Sequence, residues 1–242
     1  MGILEGKTAV VTGASRGIGY AVSKALAAEG AHVIAVARTV GGLEELDDEI
    51  KEAGGSATLV PHDLKDVDGI DRLGAALFER WKKLDILVAN AGILGRLTPL
   101  GHIEPKEWDE VFAVNVTANW RLIRSFDPLL RASDAGRAVF ITSGAASNCR
   151  AYWGTYSVTK AALDALAKTY AAETSATSIK VNLVNPGPLR TALRARAWPG
   201  EDKEQVPHPS VFAASIIDLV RPETDTSGAF YAFEDGALKL ET

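Results

Sequence analysis

Thr12-Gly-Ala-Ser-Arg-Gly-Ile-Gly19 closes the first apolar run of the chain and opens the first amphipathic segment. Gly13, Gly17 and Gly19 give the spacing G-x-x-x-G-x-G. Glycine permits a tight turn, and its missing Cβ lets the backbone approach a pyrophosphate closely. The N-terminus of a following helix adds unpaired N–H groups and a positive dipole. The stretch therefore predicts a strand–turn–helix unit that binds a dinucleotide, and the alternative is a turn of the same shape without a ligand.

Apolar, β-branched runs alternate with amphipathic segments along the whole chain. Strands are predicted over Thr8–Thr12, His32–Ala37, Ala57–Pro61, Ile86–Ala89, Ala138–Thr142, Lys180–Asn185 and Gly228–Phe233. Helices are predicted over Ile18–Glu29, Leu43–Ala53, Val67–Lys82, Pro105–Leu130, Tyr156–Ser175 and Pro209–Val220. Alternation of solidly apolar strands with helices indicates a parallel sheet covered on both faces. We expect an α/β fold with a Rossmann-type doubly wound parallel sheet of about seven strands and helices on both faces.

No repeat, low-complexity tract or linker divides the sequence, so residues 1–242 are expected to form a single dinucleotide-binding domain. The least regular stretch, Pro186–Pro209, follows the sixth predicted strand and carries five of the ten prolines. Ligands bind at the carboxyl edge of such a sheet. Residues 188–209 are therefore either a substrate lid or a long surface loop.

Composition excludes several classes of function. A formal charge of −5 argues against nucleic acid or an anionic membrane as a partner. The single cysteine cannot form an internal disulfide, and the four histidines show no metal-ligand spacing. The N-terminus lacks the layout of a signal peptide, and no apolar run reaches membrane-spanning length. We expect a cytoplasmic protein without a metal.

The end of the second predicted strand indicates which nicotinamide cofactor is bound. NAD enzymes place an acidic residue there to accept a hydrogen bond from the ribose 2′-hydroxyl. This chain has Arg38 at that point, and Arg16 lies inside the glycine turn. Two guanidinium groups suit a 2′-phosphate. The sequence therefore favours NADP(H) over NAD(H).

Tyr156 and Lys160 are one helical turn apart, and Ser143 ends the fifth predicted strand. A phenol ordinarily titrates near pKa ~10, so it needs help to exchange protons at neutral pH. The Lys160 ammonium is expected to favour the phenolate of Tyr156. Ser143 is expected to orient a carbonyl oxygen by a hydrogen bond. Taken together with the glycine turn, these residues predict hydride transfer with Tyr156 as the proton donor.

These stretches together resemble the short-chain dehydrogenases/reductases over nearly the whole chain. The resemblance rests on Thr12-Gly-Ala-Ser-Arg-Gly-Ile-Gly19, Asn90-Ala-Gly92, Asn115, Ser143, Tyr156-x-x-x-Lys160 and Pro186-Gly187. It implies the catalytic residues Asn115, Ser143, Tyr156 and Lys160, with Asn115 positioning a water and Lys160 holding the nicotinamide ribose. It implies an adenine contact for Asp63, a place beneath the cofactor for Asn90 and a contact of Thr191 with the nicotinamide amide. The full set of expected cofactor-binding residues is Gly13, Ser15, Arg16, Gly17, Ile18, Gly19, Arg38, Asp63, Leu64, Asn90, Ala91, Gly92, Tyr156, Lys160, Pro186, Gly187 and Thr191.

The resemblance implies a homodimer or homotetramer formed through the helices that begin near Pro105 and Tyr156. Their apolar stripes include Trp108, Phe112, Leu163 and Leu166, part of which is expected to face the partner. The last strand of the family is often followed by Asp-Gly-Gly, whereas this chain continues Asp-Gly-Ala-Leu-Lys-Leu-Glu-Thr242. Family properties of that tail, in the subunit contact or the substrate pocket, therefore do not transfer directly.

The expected reaction is reduction of a carbonyl compound or oxidation of a secondary alcohol. The motif set looks like that of the 3-oxoacyl-carrier-protein reductases, which makes a 3-oxoacyl thioester one possible substrate. Steroid, sugar and polyol enzymes share the same motifs. Trp153 and Tyr152 either line the substrate pocket or pack at a subunit contact. The alternative functions are a non-catalytic dinucleotide-binding sensor and a sugar-nucleotide epimerase or dehydratase.

Overall fold

The first strand is apolar along its whole length because it lies between two hydrophobic cores, one on each face of the sheet. The computed structural model describes residues 2–241, and β1 (Thr8–Thr12) is buried along its whole length. Ala9 and Val11 belong to one hydrophobic core and Val10 to a second one on the opposite face. Because successive side chains of a strand point to opposite faces, a strand between two cores must be continuously apolar.

One sheet carries the strands in the order β3-β2-β1-β4-β5-β6-β7-β8. Every neighbouring pair is parallel except β7 and β8, which are antiparallel. The strand order reverses between β1 and β4, where a ligand crevice forms in sheets of this type. The remaining strands are β2 (His32–Ala37), β3 (Ser56–Pro61), β4 (Ile86–Ala89), β5 (Arg137–Ile141), β6 (Lys180–Asn185), β7 (Phe230–Glu234) and β8 (Ala237–Glu241).

Helices cover both faces, which confirms the predicted doubly wound α/β fold. Helices α1, α2 and α9 pack on one face, and α3, α5 and α7 pack on the other. The helices are α1 (Gly17–Ala28), α2 (Val40–Glu52), α3 (Val67–Trp81), α4 (Pro105–Phe112), α5 (Ala118–Arg131), α6 (Ala145–Asn148), α7 (Gly154–Glu173), α8 (Ala192–Ala197) and α9 (Pro209–Val220). Two short 3₁₀ turns lie at Leu100–His102 and Lys203–Gln205.

The helix predicted over Pro105–Leu130 is interrupted. A π-helical turn over Ala113–Thr117 separates α4 from α5. One extra residue in a turn does not change the amphipathic pattern enough to be recognised in the sequence, because the apolar residues on either side still recur at helical spacing. Such turns often occur at functional sites, and this one contains Asn115.

The sheet has one strand more than the seven expected. β8 follows β7 through a two-residue turn in which Asp235 and Gly236 have φ of 53° and 82°. Asp-Gly with positive φ at both positions is a preferred hairpin turn. This hairpin covers the edge of β7, and β8 becomes the edge of the sheet. The unusual tail of the sequence is therefore a strand.

Asp85 immediately precedes β4 and is buried, with 1% of its surface exposed. It connects β4 to β1 and to the segment that follows α5. Its carboxylate accepts hydrogen bonds from the Thr8 backbone N–H at 3.0 Å and from Ser133 Oγ at 2.7 Å. Lys83 Nζ lies 3.2 Å away and Lys7 Nζ 3.5 Å away. Burial alone would raise the pKa of Asp85, but these hydrogen bonds and ammonium groups outweigh it and hold the pKa below its ordinary value.

Asp85→Ala is expected to lower the free energy of unfolding by about 2 kcal/mol, because it leaves buried donors without an acceptor. The pKa of Asp85 is lower in the folded protein than in the unfolded chain. Its contribution to the free energy of unfolding is therefore fully present above the ordinary carboxyl pKa, and it is lost as the pH falls through the pKa of the folded state. Urea unfolding at neutral and acid pH measures both effects. The control is Asp225→Ala at a 92% exposed carboxylate, for which we expect a change within about 0.5 kcal/mol. Equal effects of the two substitutions would contradict this prediction.

Candidate active site

The glycine turn has the geometry that its sequence requires. Gly13 and Gly17 have φ of 69° and 62°, in the left-handed region that favours glycine. Gly19 is restricted by space instead, because a Cβ there would lie 2.4 Å from the Gly13 carbonyl oxygen. Helix α1 begins at Gly17, so its N-terminus faces the turn. These three positions hold a backbone loop against a helix end, which is the arrangement that binds a pyrophosphate.

Thr12 and Asn90 lock this turn to the end of β4. The Thr12 hydroxyl accepts hydrogen bonds from the backbone N–H groups of Asn90 and Ala91, each at 3.0 Å. The Asn90 side-chain amide donates to the Thr12 carbonyl at 2.8 Å. Asn90 thus lies at the floor of the crevice between β1 and β4. The role of Thr12 was missed, although its place at the start of the glycine motif was a visible signal.

A cleft of about 400 Å³ runs along the carboxyl edge of the sheet. Gly19 and Asn115 lie behind its wall. Every other predicted cofactor-binding or catalytic residue lines it: Gly13, Ser15, Arg16, Gly17, Ile18, Arg38, Asp63, Leu64, Asn90, Ala91, Gly92, Ser143, Tyr156, Lys160, Pro186, Gly187 and Thr191.

One end of the cleft is basic. Arg38 follows the last residue of β2 and is exposed, and its Nη1 lies 3.9 Å from the Asp63 carboxylate across the cleft. Arg16 is also exposed and immediately precedes α1. No carboxylate occupies the end of β2, and both guanidinium groups line the cleft, where they can reach an anionic ligand.

The floor of the cleft leaves space that a larger residue would fill. A Cβ added at Gly92 would lie 3.4 Å from Asn115 Oδ1 and 3.6 Å from Lys160 Nζ. Gly92 therefore lies within contact distance of both Asn115 and Lys160, on the side of the cleft that faces α7. The basic end, the glycine turn and Gly92 line one cleft, and its donor groups fit a nicotinamide dinucleotide.

Lys160 is buried and held in place by the sheet. Its Nζ donates a hydrogen bond to the Ile141 carbonyl at 2.8 Å and lies 5.8 Å from the centre of the Tyr156 ring. Burial lowers the pKa of Lys160 to about 8, with Asp164 one turn further along α7 acting in the opposite direction. The ammonium form is therefore less favoured than at an exposed lysine.

The pKa of the Tyr156 phenol is shifted in the opposite direction from the one that the sequence predicts. Burial raises the pKa of the Tyr156 phenol to about 12, and the Ser143 hydroxyl only partly offsets this. The sequence predicts that Lys160 lowers this pKa, but the ammonium lies against the Ile141 carbonyl and its own charge is weakened by burial. A phenol that stays protonated in a dry site is suited to donate a proton.

Asn115 lies in the π-helical turn and is fully buried. Its Oδ1 accepts from the Ile93 backbone N–H at 2.8 Å, and its Nδ2 donates to the Ile93 carbonyl at 2.9 Å. Nδ2 also lies 3.0 Å from Thr159 Oγ1. Asn115 thus joins the segment after β4 to the helix that carries Tyr156 and Lys160.

A contact between the end of β5 and α7 was also not predicted from the sequence. The Thr142 hydroxyl donates to the Asp164 carboxylate, which joins the residue before Ser143 to α7. Burial raises the pKa of Asp164, while Thr142 and Lys160 act in the opposite direction. The signal in the sequence was weak, because an aspartate eight residues after Tyr156 is equally typical of the solvent-facing side of an amphipathic helix.

Helix α8 covers the other end of the cleft. Ala197 of α8 packs with Leu94, Ala145 and Tyr156 in a small apolar cluster. Trp153, Trp198, Leu97 and Leu193 pack against that cluster. The Trp153 ring is 6.0 Å from the Tyr156 ring and 6.1 Å from the Trp198 ring. Trp153 therefore lines the cleft, whereas Tyr152 is 61% exposed and does not.

The structure shows neither a metal centre nor a membrane span in the part of the chain it describes. Across residues 2–241, His, Cys, Asp and Glu form no group of three or more that could hold a metal ion. Within the same residues, every helix is too short or too polar to cross a membrane.

Comparison with known proteins places this site in a family. The family model described as short chain dehydrogenase matches residues 7–202. The uncharacterised oxidoreductase YciK of Escherichia coli is 34% identical over 211 residues, which cover 86% of this chain and 83% of that protein. The chain therefore belongs to the short chain dehydrogenase family.

Solved structures agree with this assignment. A short chain dehydrogenase from Pseudomonas syringae has a TM-score of 0.92 and 35% identity, with 95% of each chain covered. A short chain dehydrogenase from Shigella flexneri, solved in complex with NADP, has a TM-score of 0.88 and 31% identity, with 95% of this chain and 98% of that chain covered. The protein is an oxidoreductase of the NAD(P)-dependent class that acts on CH–OH and carbonyl groups.

Proposed function

We propose that this protein transfers hydride between NADP(H) and a carbonyl or secondary alcohol substrate. The observation that carries the proposal is that Ser143, Tyr156 and Lys160 line the same cleft as the glycine turn. A single domain of residues 1–242 would perform this reaction, with residues 188–209 acting as its substrate lid. The cytoplasmic location remains a prediction from the sequence.

The chain would supply the proton and the orientation of the substrate. When bound, NADPH supplies the hydride. The neutral phenol of Tyr156 would donate a proton to the oxygen on which negative charge develops. The Ser143 hydroxyl would donate a second hydrogen bond to that oxygen and fix the direction of the carbonyl group. Lys160 would hold ribose hydroxyls and assist return of the proton to Tyr156.

The exclusion of water supports this assignment. Tyr156 is 7% exposed and Lys160 is 3% exposed. The apolar cluster of α8 lies directly over Tyr156. In such a site a hydrogen bond to a developing oxyanion is stronger than in water, since the surroundings do not screen it.

The choice of NADP(H) rests on Arg16, Arg38 and the missing carboxylate at the end of β2. Forked, charge-assisted hydrogen bonds from guanidinium groups suit a phosphate at the ribose 2′ position. The complex of the Shigella flexneri relative with NADP supports the same cofactor here.

We expect NADPH to bind at least about tenfold more tightly than NADH, because only NADPH carries the 2′-phosphate. Arg38→Asp should reverse or abolish this preference, since a carboxylate accepts from a 2′-hydroxyl and repels a phosphate. Titration by fluorescence gives both affinities. Arg80→Asp, at an exposed position on α3 outside the cleft, makes the same change in charge and should leave the preference unaltered. Equal affinity of the parent protein for the two cofactors would refute the assignment.

Tyr156→Phe should lower turnover by a factor on the order of 10² or more, because it removes the proton donor and little volume. NADPH affinity and thermal stability should remain near those of the parent. Ser143→Ala should also lower turnover without weakening NADPH binding, whereas Lys160→Ala should impair both. Tyr152→Phe, at an exposed tyrosine outside the cleft, provides the matched control. Steady-state assays by NADPH absorbance test the series, and full activity of Tyr156→Phe would show that the acid is another group.

Within the class of carbonyl substrates, we propose a 3-oxoacyl thioester as the specific substrate. Leu94, Trp153 and Leu193 would contact its acyl chain. An absorbance assay with a 3-oxoacyl thioester, compared with simple aryl and alkyl ketones under the same conditions, distinguishes this substrate from the wider class.

We further propose that the protein forms a homodimer or homotetramer through α4, α5 and α7. Leu163 is only 1% exposed, so it belongs to the core of the chain and cannot face a partner. Trp120 on α5 and Val158 on α7 are 46% and 42% exposed and are better candidates for the contact.

Light scattering at micromolar concentration should give the mass of two or four chains. Trp120→Glu should shift the population toward monomer, because it places a charge in an apolar contact. Phe78→Glu, at a 55% exposed position on α3, is the control and should not change the mass. A monomeric parent protein would remove this proposal.

A further inference from the structure

The substrate end of the cleft carries more positive charge than the protein as a whole would suggest. The formal charge of the chain is −5, yet Arg194 and Arg196 both line this end. Asp63 is the one carboxylate among the described residues that line the cleft, and it lies at the other end beside Arg38. This end of the cleft therefore carries two arginines and no carboxylate among the residues that line it.

The individual arginines differ in how far they are neutralised. Arg194 Nε donates to Glu201 at 2.8 Å, so this guanidinium is paired. Arg196 is exposed, and within residues 2–241 its guanidinium makes one hydrogen bond, from Nη2 to the Gly95 carbonyl at 3.4 Å. An arginine has five N–H donors, so Arg196 keeps most of them for a ligand.

A second free guanidinium lies beside the same apolar wall. The Arg150 guanidinium carbon is 4.7 Å from the centre of the Trp198 ring, and Arg150 forms no ion pair in the described part of the chain. Trp198 in turn packs against Trp153, which lines the cleft. Stacking on an aromatic face holds a guanidinium in a fixed orientation while its edge remains free to bind an anion.

We infer that the substrate carries an anionic group, such as a carboxylate, attached to an apolar or aromatic body. This inference rests on the proposed reductase function and narrows its substrate class. The body would lie between Leu94, Trp153 and Leu193, with the reacting oxygen at Tyr156 and Ser143. Arg196 would bind the anion at the mouth of the cleft, and Arg150 would add to the positive potential there.

The alternative is that Arg196 has a purely structural role, called here a latch, in which it holds α8 against the neighbouring segment. Its hydrogen bond to the Gly95 carbonyl joins α8 to the segment after β4. A latch would assist every substrate equally, whereas an anion site would assist only charged ones. Pairs of compounds that differ only in charge therefore separate the two roles.

The experiment compares acetylbenzoate and benzoylbutyrate with their carboxamides as substrates of the parent protein with NADPH. We expect kcat/KM to be higher for each carboxylate than for its carboxamide, on the order of 10-fold. Arg196→Met should remove most of this ratio by lowering only the carboxylate value, and added salt should reduce the ratio in the parent. Arg196→Lys should retain part of it, since it keeps the charge and loses the fork. Arg124→Met, at an exposed arginine on α5, is the control and should retain the full ratio.

The outcomes distinguish this inference from the proposed function. If ketones are reduced but no carboxylate is preferred over its carboxamide, the inference is wrong and the reductase function stands. If Arg196→Met lowers both members of a pair equally, Arg196 is a latch and the inference is also overturned. Titration calorimetry of the parent and of Arg196→Met with the same compounds gives a readout independent of turnover. Carboxylate-selective binding that depends on Arg196, without reduction of any ketone, would support the anion site and refute the reductase function.

Discussion

The Thr12 hydroxyl accepts hydrogen bonds from the backbone N–H groups of Asn90 and Ala91, and this contact joins the carboxyl ends of β1 and β4. These two strands are neighbours at the point where the strand order reverses. The segments that follow them leave toward opposite faces of the sheet, which opens the crevice between them. This contact therefore fixes the floor of the crevice, and the glycine turn, Gly92 and α7 are arranged around it.

Burial has opposite effects on the two titratable groups at the centre of the site. It raises the pKa of Tyr156 and lowers that of Lys160, so it shifts the protonation equilibrium of each group toward its neutral form. Both shifts have the same physical cause, which is that a dry environment disfavours charge. The apolar cluster of α8 contributes to that environment because it packs directly on Tyr156. Helix α8 thus also influences the protonation of Tyr156.

Charge is distributed unevenly along the cleft. Arg16 and Arg38 lie at one end and Arg194 and Arg196 at the other, in a chain whose formal charge is −5. Local potentials in a cleft depend on which charges line it and on how little water screens them, rather than on net charge. An acidic protein can therefore attract anions to its active site, and its overall pI does not reveal this.

The sequence by itself determined the alternating strands and helices, the glycine turn and the spacing of Tyr156 and Lys160, because each depends on local periodicity or on a short motif. It also indicated that Arg38, and not an acid, ends β2. Only the tertiary structure decided the π-helical turn around Asn115, the hairpin that forms β8 and the contact of Thr142 with Asp164. It also decided the direction of the Tyr156 pKa shift and the position of α8 over the site. The π-helical turn and the hairpin are formed by residues close together in the chain, whereas the other features depend on contacts between residues far apart. A pKa in particular depends on how completely distant segments exclude water from the group.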